Sequence, residues 1–364
     1  MQDRDNRINE ARVHKGRGAA ANPANRFHAT HIEHDAAELA REAAPATEYR
    51  PVQARTIIAR NSSPDIPFER SINPYQGCEH GCIYCYARPT HAYHDLSPGL
   101  DFETRLMCKV NAAPLLQREL AKPGYRCRPI TLGANTDPYQ PAEAKLGITR
   151  QLLEELQRSQ HPFSIITKGS LITRDIDLLA EQASKGLCSV AISVTTLNDE
   201  LKRTMEPRTA SGRARLAVIR ELSAAGIPVA LMFAPVIPAL NDAELEAVLE
   251  QGKDNGARRA GYILLRLPLE VGALFQQWLQ QHYPLKAAHV MSLLRQCRSG
   301  ADNDSRFGSR MRGEGAFADL LAQRFALQCR KLGLATGRQS ELRTDLFRPP
   351  LDSGEARQFD LFGR

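Results

Sequence analysis

No run in this 364-residue sequence stays apolar for long enough to cross a bilayer as a helix. The segment Met1 to Arg7 is charged and leads into no apolar stretch, so neither a secretory signal nor a membrane partner is expected, and the expected location is the cytoplasm. There is one CxxC, Cys82 to Cys85, and no second. That argues against a structural zinc site, which usually takes two separated pairs. No common RNA- or DNA-binding motif is visible. A disulfide framework belongs to small secreted chains, so the eight cysteines read as metal ligands or packed thiols. What is present is ordinary for a globular chain: 42% of residues are hydrophobic, enough for the core of one large domain or two small ones. A net charge of +7 and a pI near 9.0 favour an anionic partner, nucleic acid being the obvious one. Much of this charge lies in tails and on helix faces, where solubility accounts for it equally well.

The densest chemistry lies between Asn73 and Tyr86, where Cys78, Cys82 and Cys85 share a short loop with Gly77 and Gly81. Thiolates are soft ligands that suit zinc and iron-sulfur clusters, and this spacing lets all three converge on one inorganic centre. Three thiolates on a 4Fe-4S cluster leave one iron open, and an open iron can bind a substrate. A zinc site completed by His80, His91 or His94 is the competing assignment. Outside such a site these histidines read as solvated loop residues.

With Tyr84 before the last cysteine, the loop resembles the CxxxCxΦC signature of radical S-adenosylmethionine (radical SAM) enzymes, in which Φ is aromatic. The resemblance implies that Cys78, Cys82 and Cys85 are the metal ligands and catalytic centre, holding a 4Fe-4S cluster. It implies that S-adenosylmethionine (SAM) binds the open iron through its amino and carboxylate groups. One electron then breaks the sulfonium, giving methionine and a 5'-deoxyadenosyl radical that takes a hydrogen atom from the substrate. A one-electron donor such as flavodoxin or ferredoxin is implied as partner.

Residues 1–55 lack a sustained apolar period and are expected to form a mobile N-terminal extension, helical around Asp35 to Ala43 and outside the core. Ile72 and the residues before it are the first candidate strand. After the loop, Ile130 to Gly133, Phe163 to Thr167, Ser189 to Val194, Val229 to Phe233 and Tyr262 to Leu265 read as buried strands. Helical periods lie between them, carried by Ile148, Leu152 and Leu156, by Ile176 and Leu179, by Leu216 and Ile219, and by Leu245 and Val248. Asn241 and Glu244 resemble a capping box, and Gly226 sits where a left-handed cap is needed. Strand and helix repeat every ~30 residues, the size of a βα unit. Composition leaves a doubly wound sheet and an incomplete barrel both open; the resemblance implies an α/β fold of the partial (β/α)6 TIM-like kind over residues 56–268. A helical extension over 269–335 is expected to cap the barrel mouth, and a disordered tail over 336–364 to follow.

Ligands of parallel α/β folds sit at the carboxyl ends of the strands. The turn from Ala134 to Glu143 offers Asn135, Thr136 and Asp137 there, as a plain polar turn also would. The resemblance implies that Asn135 and Thr136 meet the SAM amino group, that Lys168 or Arg208 holds the methionine carboxylate, that Ser193 meets the ribose and that Tyr84 lies by the adenine. The segment Ala234 to Asp242 would pack the adenosine. Over roughly Arg60 to Leu334 the chain looks most like the branch related to spore photoproduct lyase, which repairs a thymine dimer in DNA. That lyase donates hydrogen from a cysteine in the turn aligned with residues 134–137, and here the turn has none. Cys108, Cys127, Cys297 and Cys329 read as packed thiols, and Cys188 lies at the wrong end of its strand. With Arg306, Arg310 and Arg312 near the mouth, the expected substrate is nucleic acid or another anion. The alternatives are radical modification of a protein or small molecule, and a non-catalytic metal-cluster protein that binds nucleic acid.

Overall fold

Short β-rich runs that each feed an amphipathic helix build this molecule, because such a helix buries its apolar face only by lying back on the sheet. The structure is a computed structural model that describes residues 14–28, 46–337 and 342–350. Its strands are β1 (Glu48–Val52), β2 (Ala59–Arg60), β3 (Arg70–Ile72), β4 (Tyr75–Gln76), β5 (Arg105–Lys109), β6 (Ile130–Leu132), β7 (Phe163–Thr167), β8 (Cys188–Ser193), β9 (Val229–Val236) and β10 (Arg259–Leu264). The longer helices are α1 (Ala112–Leu120), α2 (Ile148–Arg158), α3 (Ile176–Ser184), α4 (Gly212–Ala224), α5 (Leu245–Asp254), α6 (Glu270–His282), α7 (Pro284–Gln296) and α8 (Ala316–Leu332).

The main sheet runs β10-β9-β8-β7-β6-β3-β2, parallel throughout except where β2 pairs antiparallel with β3. Its parallel strands follow sequence order with no reversal. A doubly wound sheet needs a switch point where the order reverses, so the alternative left open by composition is removed. The fold is the expected six-stranded partial barrel. Among the described residues no ladder joins β10 to β2, so a seam remains between the last strand and the first; Ala335 covers part of the β10 edge.

Burial differs along the sheet: β3 and β6 are buried on both faces, whereas β7 and most of β9 keep every second residue partly exposed. Val229, Leu231 and Phe233 are buried among the helices, whereas the alternating Ala230, Met232 and Ala234 keep partial exposure. A row of in-register small polar residues, Ser71, Thr131, Ser164 and Ser189, crosses four strands on the lumen face. The expectation of buried strands holds for β3, β6 and nearly all of β8, whereas β7, β9 and β10 keep partly exposed positions.

The helix periods fall where expected, and Gly226 takes φ +79° just past α4. The capping box does not form. Asn241 instead turns its side chain to the backbone of Thr195, Pro235 and Ile237, and Glu244 accepts from the Thr196 hydroxyl and the Leu197 amide. The C-terminal helices divide. Helices α6 and α7 pack Val271, Phe275, Trp278 and Val290 against Ile83 and Tyr84 beside the cysteine loop. Helix α8 lies on the flank of β10, with Phe325 against Tyr262 at 4.8 Å and Arg324 on Glu246, rather than across the mouth as expected.

Two stretches of the expected N-terminal extension belong to the folded body. Strand β1 pairs with β5, which in turn pairs with β4 at the entrance to the cysteine loop. Residues 17–19 lie directly on that loop. The helix expected over Asp35 to Ala43 falls outside the described residues. In the expected tail, residues 342–350 pack against the amino-terminal end of the barrel, where Phe347 meets His161 and Tyr125.

Candidate active site

The cysteine loop leaves β4 and folds back at Gly81, whose φ of +66° is a left-handed conformation suited to glycine. Arg88 is fully buried and holds the loop by its backbone, donating from Nε to the Cys82 carbonyl at 2.9 Å and from Nη2 to the Gly81 carbonyl at 3.1 Å. The same guanidinium pairs with the buried Glu103 at 2.5 Å. Glu103 then accepts from the Ala19 and Gly18 amides at 2.8 and 2.9 Å. Gly18 lies so close that a Cβ there would stand 1.8 Å from the Gly81 carbonyl oxygen. The N-terminal segment is therefore strapped onto the cysteine loop through one buried ion pair.

Cys78 and Cys82 are buried and Cys85 is half-buried, and none is in a disulfide. Burial raises the pKa of all three thiols, with Asp137 adding to it at Cys78 and Glu206 at Cys82. Cys78 also feels both of the other thiols, so the three are close neighbours. A buried thiol set of this kind resists ionisation until a cationic centre compensates it, which iron does. Among the described residues no three Cys, His, Asp or Glu side chains close on a single ion. A cubane has no need of such closure, because its ligated irons occupy separate corners. The residues fit a 4Fe-4S cluster. The histidines expected to be solvated are in part buried: His80 faces Asp137 at 3.3 Å, and His91 meets the Arg105 carbonyl at 2.9 Å. Only His94 is exposed among the three.

Around the loop the strand ends converge. Lys168 stands past β7 with Nζ 5.9 Å from the centre of the Tyr84 ring and 3.5 Å from the Ala234 carbonyl. The Tyr84 hydroxyl donates to Glu206, which also accepts from Thr195 at 2.7 Å and pairs with Arg215. Arg215 donates in turn to the Ser193 carbonyl at 2.9 Å. Glu206 is fully buried, which opposes ionisation, but Arg215 and Lys168 outweigh that and hold its carboxyl at about 2. Asp137 is likewise held at about 2: burial opposes ionisation, and His80, Thr167 and the Lys168 amide overcome it. Its carboxylate ties the turn after β6 to the end of β7, accepting from Thr167 at 2.6 Å and from the Lys168 amide at 2.7 Å.

The residues assigned from sequence fall into three groups. Cys78, Cys82, Cys85, Tyr84 and Lys168 share one site, and Ser193 reaches it through Arg215 and Glu206. Asn135 is half-buried and held by its amide to Asn73, while Thr136 is buried and gives its hydroxyl proton to the Tyr75 carbonyl at 2.6 Å, bracing the turn. Arg208 lies behind the loop, paired with Glu79 at 3.2 Å, and its amide donates to the His80 carbonyl. Sequence reasoning missed Arg88, Glu103, Glu206 and Arg215, which hold the site together. Each has another polar or charged residue within two positions of it, so nothing local marked them.

The family model described as the radical SAM superfamily matches residues 72–252. An uncharacterized protein of Mycobacterium tuberculosis (strain H37Rv) is 40% identical over 232 residues, covering 63% of this chain and 68% of that protein. An uncharacterized protein of Methanocaldococcus jannaschii is 27% identical over 213 residues, covering 58% and 76%. In fold the chain is similar to spore photoproduct lyase complexed with dinucleoside spore photoproduct, with a TM-score of 0.56 at 16% identity over 79% of this chain and 81% of that one. No helix among the described residues is long and apolar enough to cross a membrane. The chain belongs to the radical SAM superfamily, as an enzyme whose cofactors are a 4Fe-4S cluster and SAM.

Proposed function

We propose that Cys78, Cys82 and Cys85 hold the cluster, that SAM lies between it and the ends of β6 to β9, and that the substrate is an anion, with nucleic acid the leading class. The observation that carries this reading is the gathering of three thiols, two buried and one half-buried, into one loop at the carboxyl ends of parallel strands. When bound, the cluster and SAM supply a 5'-deoxyadenosyl radical on receipt of one electron from a flavodoxin- or ferredoxin-type donor.

The chain's own residues position and shield. Lys168 presents a cation beside Tyr84, suited to a carboxylate of the bound cofactor. Tyr84 is fixed by Glu206, and burial pushes its phenol well above the ordinary value, so it stays a neutral donor. Asn135 offers a half-exposed carboxamide at the end of β6, and Ser193 stands at the end of β8 with its carbonyl held by Arg215. Ile83, Leu267 and Phe275 pack the loop from the side of α6 and keep water from it. The turn 134–137 carries no cysteine, Cys108, Cys297 and Cys329 are buried, and the half-buried Cys127 precedes β6 at its amino end, so no cysteine is assigned as hydrogen donor.

Replacing Cys82 by Ala should abolish anaerobic 5'-deoxyadenosine formation after reconstitution and reduction; product at the wild-type level would show that this loop is not the catalytic centre. Incubation with deuterated nucleic acids and peptides then identifies the substrate as the one that passes deuterium into 5'-deoxyadenosine.

A further inference from the structure

The arginines that the sequence offered for an anion are mostly occupied. Arg306 pairs with Asp304 and Glu314, both at 3.0 Å. Arg310 grips Asp65 with two bonds, at 2.7 and 2.5 Å. Asp65 lies between β2 and β3, so this pair laces the seam where the last strand faces the first. Arg298, fully buried, donates to the carbonyls of Leu264, Leu265, Ser309 and Arg310 and pins residues 309–310 onto the end of β10. Each of these guanidinium groups has structural work.

Arg266 is different. It stands two residues beyond β10, at the mouth, with its guanidinium 5.8 Å from the centre of the Tyr86 ring. Its Nη1 reaches the Met311 sulfur, at 3.8 Å. Its Nε is buried and finds no hydrogen-bond partner among the described residues. Among the described residues no carboxylate forms an ion pair with it, since Asp65 is taken by Arg310. A half-buried cation without a counter-charge is unfavourable in a resting protein, and burial together with Arg310 lowers its pKa. Tyr86 directly follows Cys85, is 47% exposed, and donates its hydroxyl to the Ala134 carbonyl, which fixes the ring beneath Arg266.

We propose that Arg266 anchors an oxyanion of the substrate, a phosphate or a carboxylate, at the rim where β10 meets the cluster loop, with the Tyr86 ring as the apolar floor beside it. The fork of a guanidinium matches either oxyanion with paired, charge-assisted bonds. An anion held there lies next to the cysteine loop and across the seam, where a ligand enters without opening the sheet. The inference rests on the radical reading of this mouth and names the chemistry by which its substrate is held.

The test uses reconstituted enzyme with SAM and no reductant, titrated with phenyl phosphate, benzoate and neutral benzamide by calorimetry at low salt. Saturable binding of phenyl phosphate or benzoate over benzamide is expected; preference for the first indicates a phosphorylated substrate, for the second a carboxylate. Arg266→Gln should weaken that binding about 10-fold or more, and Arg266→Lys by less, since it keeps the charge and loses the fork. Far-UV dichroism and the melting midpoint check that both variants are folded. Binding of the two anions no better than benzamide, or equal binding by wild type and Arg266→Gln, overturns the proposal. The radical reading is scored separately, on 5'-deoxyadenosine formed by wild type and Cys82→Ala without any probe.

Discussion

The two ends of this barrel are built from different materials. At the mouth, the charges of Glu206, Arg215, Asp137 and Lys168, bridged by Tyr84 and His80, form a largely buried polar lattice that joins strand ends to the cysteine loop. At the foot, the rings of Tyr125, His161 and Phe347 pack together tilted or edge-on, Arg70 lies over the Tyr125 ring at 4.8 Å, and the backbone of Arg343 and Arg348 closes onto Gly186 and Ser159. Ions fix geometry at a cost in desolvation, whereas packed rings stabilise without demanding one arrangement. Placing buried ion pairs such as that of Glu206 with Arg215 at the strand carboxyl ends is what a site-bearing barrel requires.

The sharpest way to break that contrast is to remove one ion from the mouth. Glu206→Ala leaves Arg215 buried and unpaired and should destabilise the protein by about 3–5 kcal/mol. The urea midpoint reads this loss, and 5'-deoxyadenosine formation should fall with it as Tyr84 loses its acceptor. Replacing both partners with apolar residues of similar size should recover most of the stability and little of the product. Recovery of both would show that the lattice only props the fold.

How much was legible in sequence follows the same division. The strands and helices were readable because Phe163, Val190 and Leu231, or Leu152, Leu216 and Val248, repeat at the period of their element. The cysteine loop was readable because its chemistry is local. The lattice was not, since Arg88 meets Glu103 and Tyr84 meets Glu206 through the fold, and a lone charge in sequence looks like surface. Strand β5 was missed for a similar reason: Arg105–Lys109 is short and charged at both ends, and it exists because β1 and β4 flank it. Residues 17–19 gave no apolar period, because Gly18 and Ala19 attach by their amides to the Glu103 carboxylate and Arg17 by its guanidinium to the Glu103 carbonyl.

Acid separates the two ends next. Burial, with Arg70 adding to it, lowers the His161 pKa to about 4, so between that value and its ordinary ~6.5 the unfolded chain takes up a proton that the folded chain refuses. Stability from this group is complete above ~6.5 and is lost as pH falls toward about 4, by up to about 3 kcal/mol. His91, also held near 4 by burial, adds a similar slope. Glu206 and Asp137, held at about 2, stay ionised through that window and give way only below it. His161→Gln should therefore flatten a denaturation series between pH 6.5 and 4, with His91, His94 and His282, each lowered by burial, supplying the slope that remains. An unchanged slope would mean that the foot is already open to protons.

The smallest expected effect tests whether the foot matters to the mouth at all. Phe347 lies 5.2 Å from His161 and 5.5 Å from Tyr125, so truncation to Ala removes one ring from a three-membered cluster and should cost about 1–2 kcal/mol. His161 keeps its bonds to the Tyr125 hydroxyl and the Pro162 carbonyl in that variant. The strand carboxyl ends share no contact with this cluster, so 5'-deoxyadenosine formed per folded, reconstituted enzyme should stay within about twofold of wild type, as for independent distant sites. A larger loss of product than of stability would show that strain at the foot is carried along β7 to Lys168.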